Sequence, residues 1–99
     1  MKRVVFSPQA ERDLESVADY IAQDNPRRAA TFVGELRDRC GLLGRHPRSA
    51  RRFPELGASA HIFSYGNYVI LYRNLATEVS IERVIHGARD VLALMKDDE

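Results

Sequence analysis

The sequence predicts an α+β fold in which an N-terminal strand precedes an antiparallel pair of helices packed on a largely antiparallel sheet of about four strands. The first half of the chain holds two adjacent segments with apolar residues spaced three and four apart, the period of a helix face. The second half holds three short apolar segments separated by turn residues. At 99 residues, with 44% hydrophobic and 29% charged residues, the chain has the size and composition of one globular domain, residues 1–99.

The first strand leads directly into a helix-start signal. Arg3–Phe6 is short and β-branched, which is typical of a strand. Ser7 can cap the following helix, and Pro8 suits its first position, where no N–H is needed. The helix is predicted to end near Asp24-Asn25-Pro26, and its apolar face consists of Ala10, Leu14, Val17, Ala18 and Ile21.

The second helix starts at the residues that end the first. Asp24 or Asn25 can cap it, with Pro26 in the first turn, and glycine and proline between positions 41 and 47 end it. Its apolar face consists of Ala29, Phe32, Val33, Leu36, Cys40 and Leu43. So short a connection predicts an antiparallel hairpin whose apolar faces pack on a third layer. Cys40, the only cysteine, is predicted to be a buried thiol rather than a nucleophile.

Positive charge is concentrated in residues 27–52, where eight arginines against two acidic residues leave a net charge of +6 on a chain that totals +1. Residues 45–57 hold much of this charge together with Pro47 and Pro54, and they predict a surface loop. Such a segment indicates an anionic partner, either nucleic acid or an acidic protein segment. The alternative is that the arginines only form a solvated helix face and loop.

Three strands are predicted in the second half, at Ala60–Tyr65, Tyr68–Arg73 and Val79–Ile85. Gly66 suits the first central position of a type II′ turn between the first two. The middle strand is apolar on both faces, as a central strand is. Strict alternation in the last strand places Arg83 on a face with apolar neighbours, where the charge must be paired or lie at an open end of the sheet.

Common enzyme signatures are absent, among them the P-loop, the dinucleotide-binding glycine motif, HExxH and GxSxG. His46, His61 and His86 lack the spacing of metal ligands, so no metal or other cofactor is expected. No apolar run is long enough to cross a bilayer and no signal-peptide pattern opens the chain, which makes the cytoplasm the expected location. Residues 88–95 predict a short terminal helix or docked tail.

Two segments of the second half resemble the paired strand motifs of ParE-type toxins: Gly66–Arg73 and Ile81–Asp90. The helical hairpin agrees with the pattern of that family at Ala10, Asp13, Leu14, Val17, Tyr20, Ile21, Asn25, Pro26, Ala29 and Phe32, and its close agrees at Leu43, His46 and Pro47. The resemblance covers nearly the whole chain and places it in the ParE/RelE toxin superfamily.

That resemblance implies the toxin of a type II toxin–antitoxin pair. A ParD-like antitoxin would form a hetero-oligomer with it, docking an extended or helical tail across the helical hairpin and the sheet. ParE members inhibit DNA gyrase, whereas the related RelE branch cleaves mRNA in the ribosomal A site. A non-toxic binding module with a basic segment is a third interpretation.

The two branches differ in the groups they need. Cleavage of RNA without a metal requires several converging cations at the scissile phosphate. The RelE branch tends to carry an arginine soon after the glycine-turn tyrosine and a tyrosine or histidine near the C-terminus. Here Val69 occupies the first position, and residues 91–96 hold neither aromatic group. We therefore expect a gyrase inhibitor without catalysis of its own; the alternative is a ribosome-dependent endoribonuclease using Arg83, His86 and Arg89.

Seven residues are candidates for binding the target or the antitoxin: Tyr20, Arg51, Arg52, Arg73, Arg83, His86 and Arg89. For Arg83 and Arg89 the structural alternative is an ion pair with Glu82, Asp90 or a carboxylate of the helical hairpin. His86 is expected to be structural or target-binding rather than an acid–base catalyst, because no second acid–base partner is evident. Tyr68 and Tyr72 are predicted to belong to the core.

Overall fold

The computed structural model describes residues 1–87 of the chain. Within this range two helices precede most of a five-stranded sheet. The elements are β1 Arg3–Phe6, α1 Pro8–Ala22, α2 Pro26–Gly41, β2 Arg51–Arg52, β3 Ala60–Tyr65, β4 Tyr68–Asn74 and β5 Glu78–His86, with 3₁₀ turns at Leu42–Gly44 and Pro54–Leu56. The sheet order is β1-β5-β4-β3-β2; β1 runs parallel to β5 and the other pairs are antiparallel. The predicted α+β fold is confirmed, while the predicted element at residues 88–95 lies outside the described residues.

Both helices begin at the predicted caps. The Ser7 side chain accepts a hydrogen bond from the backbone N–H of Ala10 at 3.0 Å, and Asn25, rather than Asp24, caps α2 by accepting from Arg28 N–H at 3.0 Å. A proline follows each cap, where its missing N–H leaves no bond unmade. Local sequence signals are therefore sufficient to locate both helices in the chain, after β1 and before the other four strands.

The helical hairpin covers one face of the sheet, and the core lies between the two layers. Its buried members are Ala10, Leu14, Val17, Phe32, Leu36, Cys40 and Leu43 below the sheet and Tyr68, Ile70, Tyr72, Val79, Ile81 and Val84 on it. Tyr72 is fully buried and its hydroxyl donates to the Pro47 carbonyl at 2.8 Å. The predicted core roles of Tyr68 and Tyr72 are confirmed, and the second helical stripe packs where the sequence places it.

The β3–β4 hairpin has the two-residue turn predicted for it. Tyr65 pairs with Tyr68 across the turn, and Gly66 adopts a positive φ of 59° while Asn67 does not. A positive φ at the first central position alone is the signature of a type II′ turn, and glycine reaches it without steric cost. The turn therefore fixes the register of the sheet's central strands.

Residues 45–57 are not simply a loop, which corrects the prediction. Arg51 and Arg52 form the short edge strand β2, paired antiparallel with Ile62 and His61, and a 3₁₀ turn follows at Pro54–Leu56. This strand carries no apolar alternation that could reveal it. Its two exposed arginines match the way proteins protect a sheet edge, with a short strand and charged side chains.

The strict alternation predicted for the last strand is wrong. In the ladder between β4 and β5, Leu71 opposes Arg83 but Tyr72 opposes Ile81, so the pairing shifts by one residue at Glu82. An extra residue on one strand is a β-bulge, which breaks the alternation and re-aims side chains. Val84 consequently joins the core with Ile81, instead of lying on the opposite face.

Candidate functional site

Arg83, beside the bulge, is bound to a carboxylate of the helical hairpin. Its Nε donates to Asp13 Oδ2 at 2.9 Å and its Nη2 to Oδ1 at 3.4 Å. The side chains of Arg83 and Asp13 are only 15% and 10% exposed. The expectation that a charge at this position is paired holds, and the partner comes from α1 rather than from Glu82. The guanidinium thus points into the α1–β5 interface.

Asp13, the partner of Arg83, is not among the seven site residues predicted from the sequence. From groups of residues 1–87 it accepts four hydrogen bonds, two from Arg83, one from the Val84 backbone N–H at 2.9 Å and one from Gln9 Nε2 at 3.0 Å. These hydrogen bonds offset the cost of burying a charged carboxylate. One signal marks it in the sequence: an aspartate between Ala10, Leu14 and Val17 lies on the apolar face of a helix, where a charge needs a partner.

Arg73, the predicted site residue on β4, also bonds within the protein. Its Nε donates to Glu82 Oε1 at 3.2 Å, and its Nη1 donates to the Leu56 carbonyl at 2.8 Å. Ser80 completes the cluster by donating to the other Glu82 oxygen at 2.8 Å. Because Arg73 alternates with the core residue Tyr72, this cluster lies on the sheet face opposite the helices. Arg73 ties the 3₁₀ turn that follows β2 to the sheet.

Tyr20 and His86 each lie near Tyr68, at the end of the sheet that carries the β3–β4 turn, here called the hairpin end. The rings of Tyr68 and His86 meet edge-on with centroids 5.4 Å apart. Burial raises the pKa of Tyr68, and the neighbouring Tyr20 phenol adds to the rise. Tyr20 is 63% exposed, so most of its ring is accessible to a partner. These two predicted residues therefore border one amphipathic surface, the Tyr20–His86 patch.

Arg51 and Arg52 occupy the other part of the sheet. Arg52 is in register with His61, which pairs with Tyr72. Tyr72 is four residues along β4 from Tyr68, or about 13 Å at the rise of a strand. The predicted site residues therefore do not converge on one place: Arg83 is in the interface, Tyr20 and His86 are at the hairpin end, and Arg51 and Arg52 are on the edge strand. Arg89 lies outside the described residues.

The arginines of the basic segment fall into two classes. On α2, Arg28 pairs with Glu35 at 2.7 Å, Arg37 pairs with Glu11 at 2.8 Å, and Arg39 lies over the Phe63 ring. Beyond α2 lie four exposed arginines that form no salt bridge within residues 1–87: Arg45, Arg48, Arg51 and Arg52. Arg27, at the start of α2, is also exposed and forms no salt bridge within residues 1–87. Most of the basic segment's positive charge without a salt bridge therefore lies in residues 45–52.

Comparisons with known proteins agree with this architecture. Residues 4–91 match the family model described as the ParE toxin of the type II toxin–antitoxin system parDE. The chain belongs to the ParE toxin family. No curated protein matches the sequence of this ParE-family toxin significantly. The resemblance inferred from the strand motifs and the hairpin is confirmed, because the match runs from β1 through β5.

Two solved structures share the fold of this ParE-family toxin. A chain of the chromosomal ParDE system from P. aeruginosa superposes with a TM-score of 0.72 at 17% identity, covering 87% of this toxin and 96% of that chain. A chain of the RelBE2 toxin–antitoxin complex from Mycobacterium tuberculosis superposes with a TM-score of 0.59 at 31% identity, covering 86% and 96%. The fold is therefore common to chains from both ParDE and RelBE systems.

The chemistry available to this ParE-family toxin is limited by where its reactive groups lie. Burial raises the pKa of the Cys40 thiol from 9.0 to about 12, so the nucleophilic thiolate is scarce at neutral pH. This agrees with the predicted structural role of Cys40. In the part of the chain that the structure describes, no group of three histidine, cysteine or acidic residues can hold a metal ion. Nor is any helix there long and apolar enough to cross a membrane.

Proposed function

We propose that this ParE-family toxin inhibits DNA gyrase by binding, without catalysis of its own, and that a ParD-like antitoxin neutralises it. The family match over residues 4–91 carries the proposal. The site geometry supports it, because the guanidiniums of Arg73 and Arg83 are bonded to carboxylates of the protein itself. A gyrase target requires action in the cytoplasm.

The second candidate function is ribosome-dependent mRNA cleavage, favoured by the 31% identity to a chain of the RelBE2 complex. A metal-free nuclease must present converging cations to the scissile phosphate. Arg83 could do so only by leaving Asp13, and removing one partner of a buried pair costs about 3–5 kcal/mol. His86 is exposed, but it lies at the end of β5 against Tyr68. The geometry therefore supports binding over catalysis.

Purified toxin separates the two functions. We expect a molar excess of toxin to abolish supercoiling of relaxed plasmid by gyrase while leaving RNA intact. Primer extension on mRNA from intoxicated cells should show no new A-site ends. Normal supercoiling at high toxin excess would exclude gyrase as the target, and new A-site ends would establish the nuclease. If cells that strongly express this protein without an antitoxin grow normally, the result would instead favour a non-toxic binding module.

The Tyr20–His86 patch is our proposed contact for the antitoxin tail. Exposed aromatic residues next to a buried ring are typical of binding hot spots, whose truncation costs about 2 kcal/mol or more, roughly thirtyfold in Kd. Tyr20→Ala should weaken antitoxin binding by this amount in calorimetry. Leu42→Ala is the matched control, because Leu42 is also an exposed apolar residue, 55% exposed, but follows the far end of α2. Equal affinities for both variants would remove Tyr20 from the antitoxin surface.

We also propose that Arg51, Arg52, Arg73 and Arg89 contribute to target or antitoxin binding. Arg83→Ala and Arg89→Ala should each weaken toxicity or antitoxin affinity. For Arg83 the reason is the lost tie between β5 and α1, so Asp13→Asn should reproduce its effect. Wild-type growth inhibition by both arginine variants would remove them from the site.

A further inference from the structure

A groove of about 400 Å³ opens beside the edge strand, at the end of the sheet away from the Tyr20–His86 patch. Its lining residues are Arg48, Arg52, Ala58, Ser59, His61 and Asn74. Arg48 and Arg52 are exposed, and neither forms a salt bridge within the part of the chain that the structure describes. Among residues 1–87, no acidic residue lines the groove, and these two arginines are its charged lining residues.

His61 is held rigidly in the wall of the groove. It is 5% exposed, stacks on Tyr72 with ring centroids 5.1 Å apart and planes 9° apart, and places Nδ1 3.1 Å from the Ser59 carbonyl oxygen. A carbonyl oxygen only accepts, so Nδ1 carries the proton. Nε2 is then the ring atom left for a ligand, as an acceptor in the neutral ring or a donor in the imidazolium.

Two uncharged side chains of the lining, Asn74 and Ser59, can also donate hydrogen bonds to a ligand. The Lys2 ammonium donates to Asn74 Oδ1 at 2.6 Å and to the Leu75 carbonyl at 2.8 Å. Because the oxygen of the Asn74 amide is occupied by a donor, its NH₂ group is the part available to a ligand. The Ser59 hydroxyl accepts from Arg73 Nη1 at 3.4 Å and keeps its own proton to donate. The groove thus offers guanidinium, amide and hydroxyl donors, with Lys2 as a third cation at its edge.

We propose that this groove binds a phosphate group carried by a nucleotide or by a nucleic-acid backbone. Arginine forks match the oxygen pairs of phosphate, and a phosphate has enough acceptor oxygens to use two guanidiniums and the neutral donors together. A single carboxylate has only two oxygens. The volume falls in the range of small-molecule sites and exceeds a bare phosphate, leaving room for the group attached to it. The inference goes beyond gyrase inhibition and does not rest on it.

Calorimetry on the purified toxin tests the site with three probes: inorganic phosphate, 5′-AMP and a short single-stranded oligothymidylate. The groove variant is Arg48→Ala/Arg52→Ala. The matched control is Arg12→Ala/Arg27→Ala, which removes the same charge from exposed helix positions without carboxylate partners in residues 1–87. We expect 5′-AMP to bind the wild type and the control equally and the groove variant at least about tenfold more weakly, since each charged contact is strong.

Two further readouts separate this result from general charge attraction. Added phosphate should shift the His61 ring nitrogen signals in the NMR spectrum of the wild type, and thermal melting should show that the groove variant is folded. Competition identifies the source: displacement of 5′-AMP by the oligonucleotide indicates a backbone phosphate, and its absence indicates a free nucleotide. The proposal is overturned if none of the three probes binds the wild type, or if the groove and control variants lose affinity equally. Since gyrase is not in the assay, this outcome is independent of the proposed function.

Discussion

Replacing Asp13 by asparagine tests the tie between α1 and β5 with almost no change in side-chain volume. Within the described part of the chain the carboxylate accepts four hydrogen bonds, two of them from Arg83. Asparagine keeps one acceptor oxygen, turns an NH₂ donor toward other donors and leaves the Arg83 charge without its carboxylate. Breaking a buried pair in this way costs about 3–5 kcal/mol. Since domains of this size are stable by about 5–15 kcal/mol, much of the native stability should disappear.

Urea unfolding followed by circular dichroism measures the loss, and a double-mutant cycle assigns it to the pair. We expect Asp13→Asn to lower the free energy of unfolding by about 3 kcal/mol or more. Arg83→Met should also destabilise, and the double variant should lose clearly less than the sum of the two, because it contains neither of the two charges of this pair. A loss below about 0.5 kcal/mol, the range of ordinary surface substitutions, or strict additivity, would refute the reasoning.

Four other substitutions probe the core and its edges. Gly44→Ala should lower the free energy of unfolding by about 1–3 kcal/mol, because a Cβ would collide with the Lys2 carbonyl. Gly34→Ala should raise it by about 0.5–1 kcal/mol, because there is open space around this position of α2. Chemical unfolding that shows the same sign for both variants, or the reverse signs, would contradict this pair of predictions. Tyr72→Phe should cost about 1–2 kcal/mol by leaving the Pro47 carbonyl without its donor, and unchanged stability in the same assay would count against that bond. The raised pKa of Cys40 favours the neutral thiol in the folded state, so its contribution is complete below pH 9 and falls as the pH rises toward 12, by at most about 4 kcal/mol. Cys40→Ala should flatten this alkaline loss relative to the wild type, and parallel pH curves would contradict the assignment.

Local signals account for the parts of the fold that could be predicted. Ser7-Pro8 and Asn25-Pro26 act within one turn of chain, and the apolar stripes repeat with the helix period, so both helices begin where the sequence indicates. Gly66 sets the hairpin register through its own backbone conformation. These features need no knowledge of distant residues.

The features that could not be predicted arise from pairing between distant segments. The edge strand exists because Arg51 and Arg52 meet β3, and nothing in two adjacent arginines indicates a strand. The bulge at Glu82 depends on how β5 matches β4. Arg83, a candidate for binding the target or the antitoxin, instead meets Asp13 across 70 residues of chain. Arg48 and His61 were missed for the same reason, because only the folded chain brings them to one groove.

Formation of cleaved DNA by gyrase shows whether this toxin traps the enzyme on its substrate. Supercoiled plasmid is incubated with gyrase, ATP and an excess of the purified toxin, and the products are separated after detergent and protease treatment. We expect linear plasmid that increases with toxin concentration, disappears when the cognate antitoxin is added first, and requires gyrase. Plasmid that stays supercoiled at every toxin concentration, with gyrase active throughout, would exclude gyrase poisoning by this toxin.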